Sequence, residues 1–179
     1  MRTRKIILFF LTAILLAVNY AFYVPRQPGE EEYNLKAAFI YRFTEYVDWG
    51  TINDENFMIE ILGESAITEP LKEIVKDKKI KNKSVDVKEY HDINDIGQCE
   101  MLFISKNYSG SIESALSKIG DKPVLIITEQ KGDSEKGAHI NFLISENKLR
   151  FEINLKAITK AGLRISSQLL QHAILVNTL

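Results

Sequence analysis

The sequence predicts an α/β protein, a three-layer open and mainly parallel sheet flanked by helices, with an antiparallel hairpin at one edge. Two observations predict this class. Short apolar runs alternate with segments of helical periodicity through the middle of the chain, which is typical of βαβ units whose strands are buried on both faces. The last third changes to two alternating segments around a short turn, which indicates a β-hairpin.

Length and charge limit the class of protein. The chain has 179 residues, of which 45% are hydrophobic and 26% are charged, and its formal net charge is −1. This composition suits one domain with a single sizeable core. Because the chain has no basic excess, we expect no nucleic-acid partner.

The first residues predict export. "MRTRK" is a short basic segment, and residues 6–18 form an apolar stretch, so residues 1–23 are interpreted as a signal peptide. The alternative is an uncleaved membrane anchor over 6–24, since about 20 apolar residues span a bilayer as a helix. In both cases the rest of the chain is expected outside the cytoplasm, with a linker at 24–33 and a domain at 34–179.

An aromatic-rich helix opens the domain and is predicted to end at Gly50. Its apolar face is expected to pack on the sheet, while a polar face lies opposite. The predicted apolar face holds Leu35, Ala38, Phe39, Ile40, Phe43, Tyr46, Val47 and Trp49, and the polar face holds Tyr41, Thr44, Glu45 and Asp48. Tyr41, Glu45 and Asp48 are the candidate partner-binding residues, because an exposed aromatic side chain beside charges is common at interfaces. The alternative is an incidental exposed tyrosine.

The middle of the chain predicts alternating strands and helices. Continuous apolar runs at 100–105 and 123–128 indicate strands buried on both faces of a parallel sheet. The strand at 84–90 interleaves polar residues and is therefore expected at an edge or half exposed. The remaining predicted elements are a strand at 57–62, a helix at 67–79 with Pro70 in its first turn, and a helix at 109–120 with a serine cap and a closing glycine.

The predicted hairpin pairs residues 138–145 with residues 148–155. A helical tail over 156–176 is expected to follow, broken near 162–166. Ser166 or Ser167 can cap its final segment.

The search for catalytic motifs finds none. GxSxG, Walker A, GxGxxG and HExxH patterns are absent from the sequence. His91, Asp92 and Asp95 lie close together, but this group lacks the closed ligand set that zinc needs, so turn and cap roles are favoured. The sequence therefore predicts no catalytic residue, no metal and no cofactor.

Gly63 and Ser65 are the candidate ligand-binding residues. They follow the first strand of the predicted sheet, and open α/β sheets bind ligands beyond the carboxyl ends of their strands. The next helix would also present its N-terminus to an anion. The alternative is that Gly63 turns the chain and that Ser65 or Thr68 caps the helix.

Several segments together resemble the YfiR family. They are "NLKAAFIYRFTEYVDWG", "FMIEILGES", "CEMLFIS" and "LRFEINLKAITKAGLRISSQLLQHA", and in this order they cover about residues 34–176. The resemblance implies an exported α/β regulator without catalytic activity. It implies a repressor that holds an inner-membrane diguanylate cyclase inactive by binding its periplasmic sensor part, that an outer-membrane lipoprotein can sequester, and that forms homodimers. The alternative is a periplasmic small-molecule-binding module with its site at Gly63–Ser65.

The single cysteine departs from the family pattern. Cysteines of the family form disulfides, whereas Cys99 has no second cysteine in the chain to pair with. Its place at the start of an apolar run predicts a buried, inert thiol.

Overall fold

The computed structural model describes residues 29–52, 54–108 and 110–176. The predicted signal peptide at 1–23 and the first residues of the predicted linker lie outside this range. The chain divides between Glu31 and Glu32 into two units, and the second unit, Glu32–Leu179, contains every strand described below.

Ten strands and six helices make up the described fold. The strands are β1 (Val47–Asp48), β2 (Phe57–Leu62), β3 (Lys79–Ile80), β4 (Lys83–Tyr90), β5 (Met101–Ile104), β6 (Leu125–Thr128), β7 (Ile140–Ser145), β8 (Lys148–Asn154), β9 (Arg164–Ile165) and β10 (Ile174–Val176). The helices are α1 (Glu30–Tyr46), α2 (Thr68–Val75), α3 (Ile112–Ile119), α4 (Asp133–Lys136), α5 (Leu155–Lys160) and α6 (Ser167–Leu170).

Eight strands form one sheet in the order β10-β8-β7-β6-β5-β2-β4-β3. Strands β4, β2, β5, β6 and β7 run parallel, and β7 and β8 form the predicted antiparallel hairpin. The α/β class and the mainly parallel sheet are thus confirmed. The hairpin is not the outermost element, however, because β10 pairs in parallel with the free side of β8.

Alternate residues of the central strands divide between two hydrophobic cores. Helices α1 and α2 pack in the first core against Phe57, Ile59, Met101 and Phe103, and α3 packs in the second core with Leu102. Strands β5 and β6 are buried at every position, as the continuous apolar runs predict. Helices therefore cover both faces of the sheet.

Local signals place the ends of the short helices. Ser111 caps α3 by accepting the Ser114 N–H at 3.2 Å, and Gly120 ends it with φ +62°. Pro70 lies in the first turn of α2, where its missing N–H costs nothing. The predictions for these two helices are confirmed, although both helices are shorter than predicted.

Helix α1 differs from the prediction in length and in orientation. It begins at Glu30, so the last four residues of the predicted linker are helical, and it ends at Tyr46, where strand β1 begins. Its buried residues are Lys36, Ala37, Ile40, Phe43 and Thr44. The predicted core residue Leu35 is 47% exposed, and Thr44, predicted on the polar face, is buried. The helix is therefore rotated relative to the predicted wheel.

The C-terminal tail corrects a second prediction. Helix α5 ends at Lys160, β9 pairs antiparallel with β1, and only four residues of α6 follow. Ser166 caps α6 as predicted, by accepting the Leu169 N–H at 3.4 Å. Ile174–Val176 is a strand rather than the end of a helix, because the free edge of β8 supplies hydrogen-bond partners for its backbone.

Candidate functional site

An open groove with a volume of about 490 Å³ lies where α1, β8 and the segment around α6 meet. We call it the aromatic groove. Its lining consists of Phe39, Arg42, Phe43, Tyr46, Phe151, Gln168, Leu169, Gln171 and His172. Aromatic and apolar side chains form most of this lining, and side chains that can donate hydrogen bonds border them.

Stacked rings support the aromatic groove. The ring centroids of Phe39 and Phe151 are 5.6 Å apart, and those of Phe43 and Phe151 are 5.2 Å apart in an edge-on arrangement. Phe142, from the neighbouring strand, lies 5.9 Å from Phe43. Edge-on and offset ring pairs stabilise beyond their buried area, so the floor of the groove is held in one arrangement.

Arg42 lies over this floor at the surface. Its guanidinium carbon is 5.8 Å from the centroid of the Tyr46 ring, and its Nη2 donates to the Tyr46 hydroxyl at 3.4 Å. Its Nη1 is 3.0 Å from the Glu45 carboxylate. The side chain is 58% exposed, so its planar group remains available to another molecule.

A second, shallower hollow of about 320 Å³ adjoins the end of α1. The pairing of β1 with β9 sets Asp48 beside Arg164, and the Arg164 Nη2 donates to Asp48 Oδ2 at 2.6 Å. Lys81, from the β3–β4 turn, brings its Nζ to 3.8 Å from Asp48 Oδ1. We call Glu45, Asp48, Lys81 and Arg164 the charged rim.

Asp48 is held in its ionised form. The Gly50 N–H donates to its carboxylate at 3.0 Å, and this bond, together with the Arg164 guanidinium, lowers the pKa of Asp48 below its usual value. The lowered pKa of Asp48 therefore keeps a negative charge on the charged rim, directly beside the Arg164 guanidinium.

The predicted contact residues are only partly brought together. Glu45 and Asp48 lie on the charged rim, whereas Tyr41 is half-buried against the core and lines neither hollow. Tyr46, assigned to the core from the sequence, lines both hollows and joins them. The signal that could have found it is the i, i+4 pair Arg42–Tyr46, because an arginine beside a tyrosine on one helix face can stack on it.

The structure shows how Gly63 and Ser65 are engaged. Strand order reverses between β2 and β5, so the crevice beyond their carboxyl ends is the place where such sheets bind ligands. Here the backbone of Tyr108 lies over Gly63, and Asn107 donates to the Glu64 carbonyl at 3.0 Å. Ser65 is buried, and its hydroxyl accepts the Ile67 N–H at 3.3 Å. These contacts correspond to the turn and cap alternative.

Cys99 lies in a buried acidic cluster. The Gly97 N–H donates to the Glu60 carboxylate at 3.1 Å, and the Met58 N–H donates to the Glu100 carboxylate at 2.6 Å. Burial raises the pKa of both carboxyl groups and raises the pKa of the Cys99 thiol, which Glu60 raises further. A thiol in such surroundings stays protonated and unreactive, in line with the predicted inert cysteine.

His139 and Asp92, which follows His91, serve local structure. Asp92 accepts the Asn94 N–H at 2.8 Å and caps a 3₁₀ turn at Ile93–Asp95, beside His91. His139 is buried, its Nδ1 accepts the Ile126 N–H at 3.0 Å, and burial lowers its pKa to about 4. Within residues 29–52, 54–108 and 110–176, no three His, Cys, Asp or Glu side chains are grouped to hold a metal ion.

A search of the same described residues for a membrane-spanning helix finds none of sufficient length and apolar character.

Comparisons with known proteins place the chain. A solved structure of a conserved domain protein from Vibrio cholerae O1 biovar El Tor is similar, with 12% identity and a TM-score of 0.49. The similarity covers 80% of this chain and 59% of that one, and no curated protein matches the sequence. The sequence profile of the YfiR/HmsC-like family matches residues 33–174, well over half of the chain. The chain therefore belongs to the YfiR/HmsC-like family, whose members are known as periplasmic regulators in cyclic-di-GMP signalling.

Proposed function

We propose that this chain is an exported, non-catalytic regulator that binds and inhibits the periplasmic sensor part of an inner-membrane signalling protein, a diguanylate cyclase. Family membership supports the regulatory class and the signalling system. The observation that carries the proposal is one continuous surface around the C-terminal end of α1, in which Tyr46 joins the aromatic groove to the charged rim.

The groove has the composition of a protein-binding surface. Tyrosine and arginine are enriched among the residues that contribute most to protein–protein affinity, and here Arg42 and Tyr46 stack on each other at the mouth of the groove. An apolar side chain of the partner would pack on the half-buried rings of Phe39 and Tyr46, above ring pairs that are already formed. A preformed pocket loses little conformational entropy on binding.

The charged rim would orient the partner. Asp48 and Arg164 hold each other in place at 2.6 Å, yet their side chains are 41% and 81% exposed. Exposed charges of this kind add little to affinity but select the partner and speed its approach. We therefore assign anchoring to the groove and orientation to the rim.

Inhibition follows if the regulator prefers one state of the sensor. Binding lowers the active fraction only by the difference between the affinities for the two states. Converting a population from mostly active to mostly inactive, 99:1 in each case, needs a preference of about 5.5 kcal/mol. A regulator that bound both states equally would leave cyclase activity unchanged.

In-cell cross-linking of the full, exported chain tests the proposal. After cross-linking, the tagged chain is purified and the proteins bound to it are identified. We expect one membrane-spanning protein with a periplasmic sensor region and a cytoplasmic cyclase domain, and we expect cyclic-di-GMP to rise when the regulator is deleted. The proposal would be contradicted if no membrane protein is recovered, or if the cyclic-di-GMP level does not change when the regulator is deleted.

Two charge-reversal variants locate the surface. Arg42→Glu reverses the charge over the groove, and Asp48→Lys reverses the charge on the rim, so both should lose the cross-link and raise cyclic-di-GMP. Lys118→Glu is the matched control, because Lys118 is exposed on α3, which packs in the other core. If Lys118→Glu loses the partner while both other variants retain it, the α1 surface is not the binding site.

The alternative function, a small-molecule-binding module at Gly63–Ser65, is tested separately. A ligand that binds the folded chain raises its melting temperature by mass action. A metabolite that raises the melting temperature of the wild-type chain but not that of Ser65→Ala would support this alternative. It would do so whether or not a membrane partner is found.

A further inference from the structure

A cavity of about 260 Å³ lies at the end of the sheet opposite to Gly63 and Ser65. Its walls come from the three segments that lead into β2, β5 and β6. Strand β5 lies between β2 and β6 in the sheet, so the cavity extends to both sides of the start of β5. We call it the tryptophan cavity, and its lining includes Trp49, Ile52, Asp54, Cys99, Glu100 and Lys122.

Trp49 forms an aromatic wall of the tryptophan cavity, and two contacts fix its position. Its indole N–H donates to the Glu100 carbonyl at 2.9 Å, and its ring meets that of Phe57 edge-on, with 5.1 Å between the centroids. Ile52 and Val124 add apolar surface to the lining. Pockets for drug-sized ligands have volumes of about 300–1,000 Å³, so this cavity suits a smaller molecule with an apolar body.

The buried charged group of the tryptophan cavity is the carboxyl group of Glu100. Glu100 is 7% exposed, and its Oε2 accepts the Met58 N–H at 2.6 Å. Asp54 lies on the β2 side of the same cavity. Burial raises the pKa of Glu100, and the charge of Asp54 raises it further, so the two carboxyl groups are close enough to repel each other.

Neither of these two carboxyl groups forms an ion pair with a lysine or arginine in the part of the chain that the structure describes. Lys83 donates to the backbone carbonyl of Asp54 instead. The buried carboxylate of Glu129, by contrast, has the ammonium of Lys36 at 2.6 Å. Buried carboxylates are usually paired with a cation. Because Glu100 lines a cavity, its cation can come from outside the chain.

We propose that the tryptophan cavity binds a small organic monoamine, whose ammonium group lies between Asp54 and Glu100 and whose apolar body packs on Trp49. An ammonium group offers three N–H donors, which the oxygens of two carboxyl groups can accept. Lys122 lines the cavity on the β6 side and would repel a second positive charge, so a monoamine is favoured over a diamine. The inference goes beyond the proposed function, because this site requires no protein partner.

Fluorescence of Trp49 measures binding at the site itself, because Trp49 is the only tryptophan of the chain. The probe is phenethylamine, and the matched neutral control is phenethyl alcohol, which has a hydroxyl group in place of the ammonium group. We expect the amine to change the fluorescence of the full chain in a saturable way and to raise its melting temperature. The affinity for the amine should exceed that for the alcohol by about tenfold or more.

Two glutamine variants test the role of the buried carboxyl group. Glu100→Gln removes the charge and keeps the shape of the side chain, so it should weaken amine binding by about tenfold or more. Glu60→Gln is the matched control, because Glu60 is 3% exposed and belongs to the same acidic cluster but does not line the cavity. It should bind the amine as the wild type does. Should Glu100→Gln fail to fold, Asp54→Asn, at an exposed position, should weaken binding by about two- to fivefold.

Three results would overturn the proposal. Equal affinities for the amine and the alcohol would mean that the cavity recognises apolar surface alone. The absence of any response of the fluorescence and of the melting temperature to phenethylamine would mean that the cavity binds no amine. Equal losses of affinity in Glu100→Gln and Glu60→Gln would mean that the amine does not contact the Glu100 carboxyl group.

Discussion

Lys36→Met removes the cation from a buried ion pair that ties α1 to the end of β6. Lys36 is 4% exposed, and its Nζ lies 2.6 Å from Oε2 of Glu129, whose side chain is completely buried. Glu129 Oε1 also accepts the Lys106 N–H at 3.2 Å and the Tyr33 hydroxyl at 3.5 Å. Lys36 has a second carboxylate, that of Glu32, at 2.5 Å. Lys36 therefore keeps a carboxylate partner when Glu129 is removed, whereas Glu129 loses the cation of this pair when Lys36 is removed.

The expected free-energy losses follow from this asymmetry. In Lys36→Met the Glu129 carboxylate stays buried without a cation, which costs about 3–4 kcal/mol of unfolding free energy. In Glu129→Gln the Lys36 ammonium keeps Glu32, so the loss is about 2 kcal/mol. The double variant Lys36→Met/Glu129→Leu removes both charges, and we expect it to lie within about 1 kcal/mol of the wild type.

The pH dependence has a definite sign. Burial lowers the pKa of Lys36, but hydrogen bonds and charge from Glu129 and Glu32 outweigh burial, so this pKa lies above its usual value of 10.5. Stabilisation by the charged lysine is therefore fully present below pH 10.5 and is lost as the pH rises through the folded-state pKa. We expect the gap between the wild type and Lys36→Met to be constant near neutral pH and to narrow above 10.5.

Urea unfolding measures these losses. With a slope of about 2 kcal/mol per molar urea, Lys36→Met should lower the midpoint by about 1.5–2 M. Lys72→Met is the control, because Lys72 pairs with Glu69 at 2.9 Å but the two side chains are 46% and 82% exposed, and we expect a loss below about 1 kcal/mol. Equal midpoint shifts for Lys36→Met and Lys72→Met, or a larger loss in Glu129→Gln, would refute the reasoning.

Three further predictions concern the sheet and its buried groups. Gly63→Ala should lower the free energy of unfolding by about 2 kcal/mol or more in urea, because its Cβ would lie 2.9 Å from the Tyr108 backbone. Gly50→Ala is the control, because Gly50 also has a positive φ but open space around it, and it should lower this free energy by only about 1 kcal/mol. Equal losses in the two variants would contradict the close approach. Burial raises the pKa of Glu60, so its ionised form destabilises the fold as the pH rises above the usual 4.5; Glu60→Gln should melt higher than the wild type at pH 7 and no higher at pH 4. The Cys99 thiol should react with a thiol reagent in denaturant but not in buffer, and rapid labelling of the folded chain would show that it is accessible.

Local chemistry in the sequence was sufficient for the type of most elements. Continuous apolar runs correctly predicted β5 and β6 because a strand covered on both faces has no polar side. Ser111 and Gly120 marked the ends of α3, and the turn at Glu146–Asn147, with both residues at positive φ, marked the hairpin. These features depend on neighbours within a few residues, which is the range over which propensity and capping act.

The candidate site was less accessible from the sequence. Glu45 and Asp48 were predicted as contact residues because they lie beside Tyr41 on the polar face of the predicted helix, and their role in binding stays a prediction. Arg164 could not be assigned to Asp48, since the two are 116 residues apart and meet only when β1 pairs with β9. Tyr41 was placed at the surface and Tyr46 in the core because the rotation of α1 was unknown.

The sequence by itself determined that this is an α/β protein with a buried parallel sheet, since periodicity is a property of each segment. Tertiary structure alone decided which of two overlapping apolar arcs of α1 faces the core. The helix offers Leu35–Phe39–Tyr46 and Ala37–Ile40–Phe43, and the second arc is buried together with Lys36, whose ammonium reaches Glu129, 93 residues away. Tertiary structure also made Ile174–Val176 a strand, because only the open edge of β8 supplied its hydrogen-bond partners. In both cases the deciding partner is distant in the chain, and the free energy of such a contact is not encoded in the local segment.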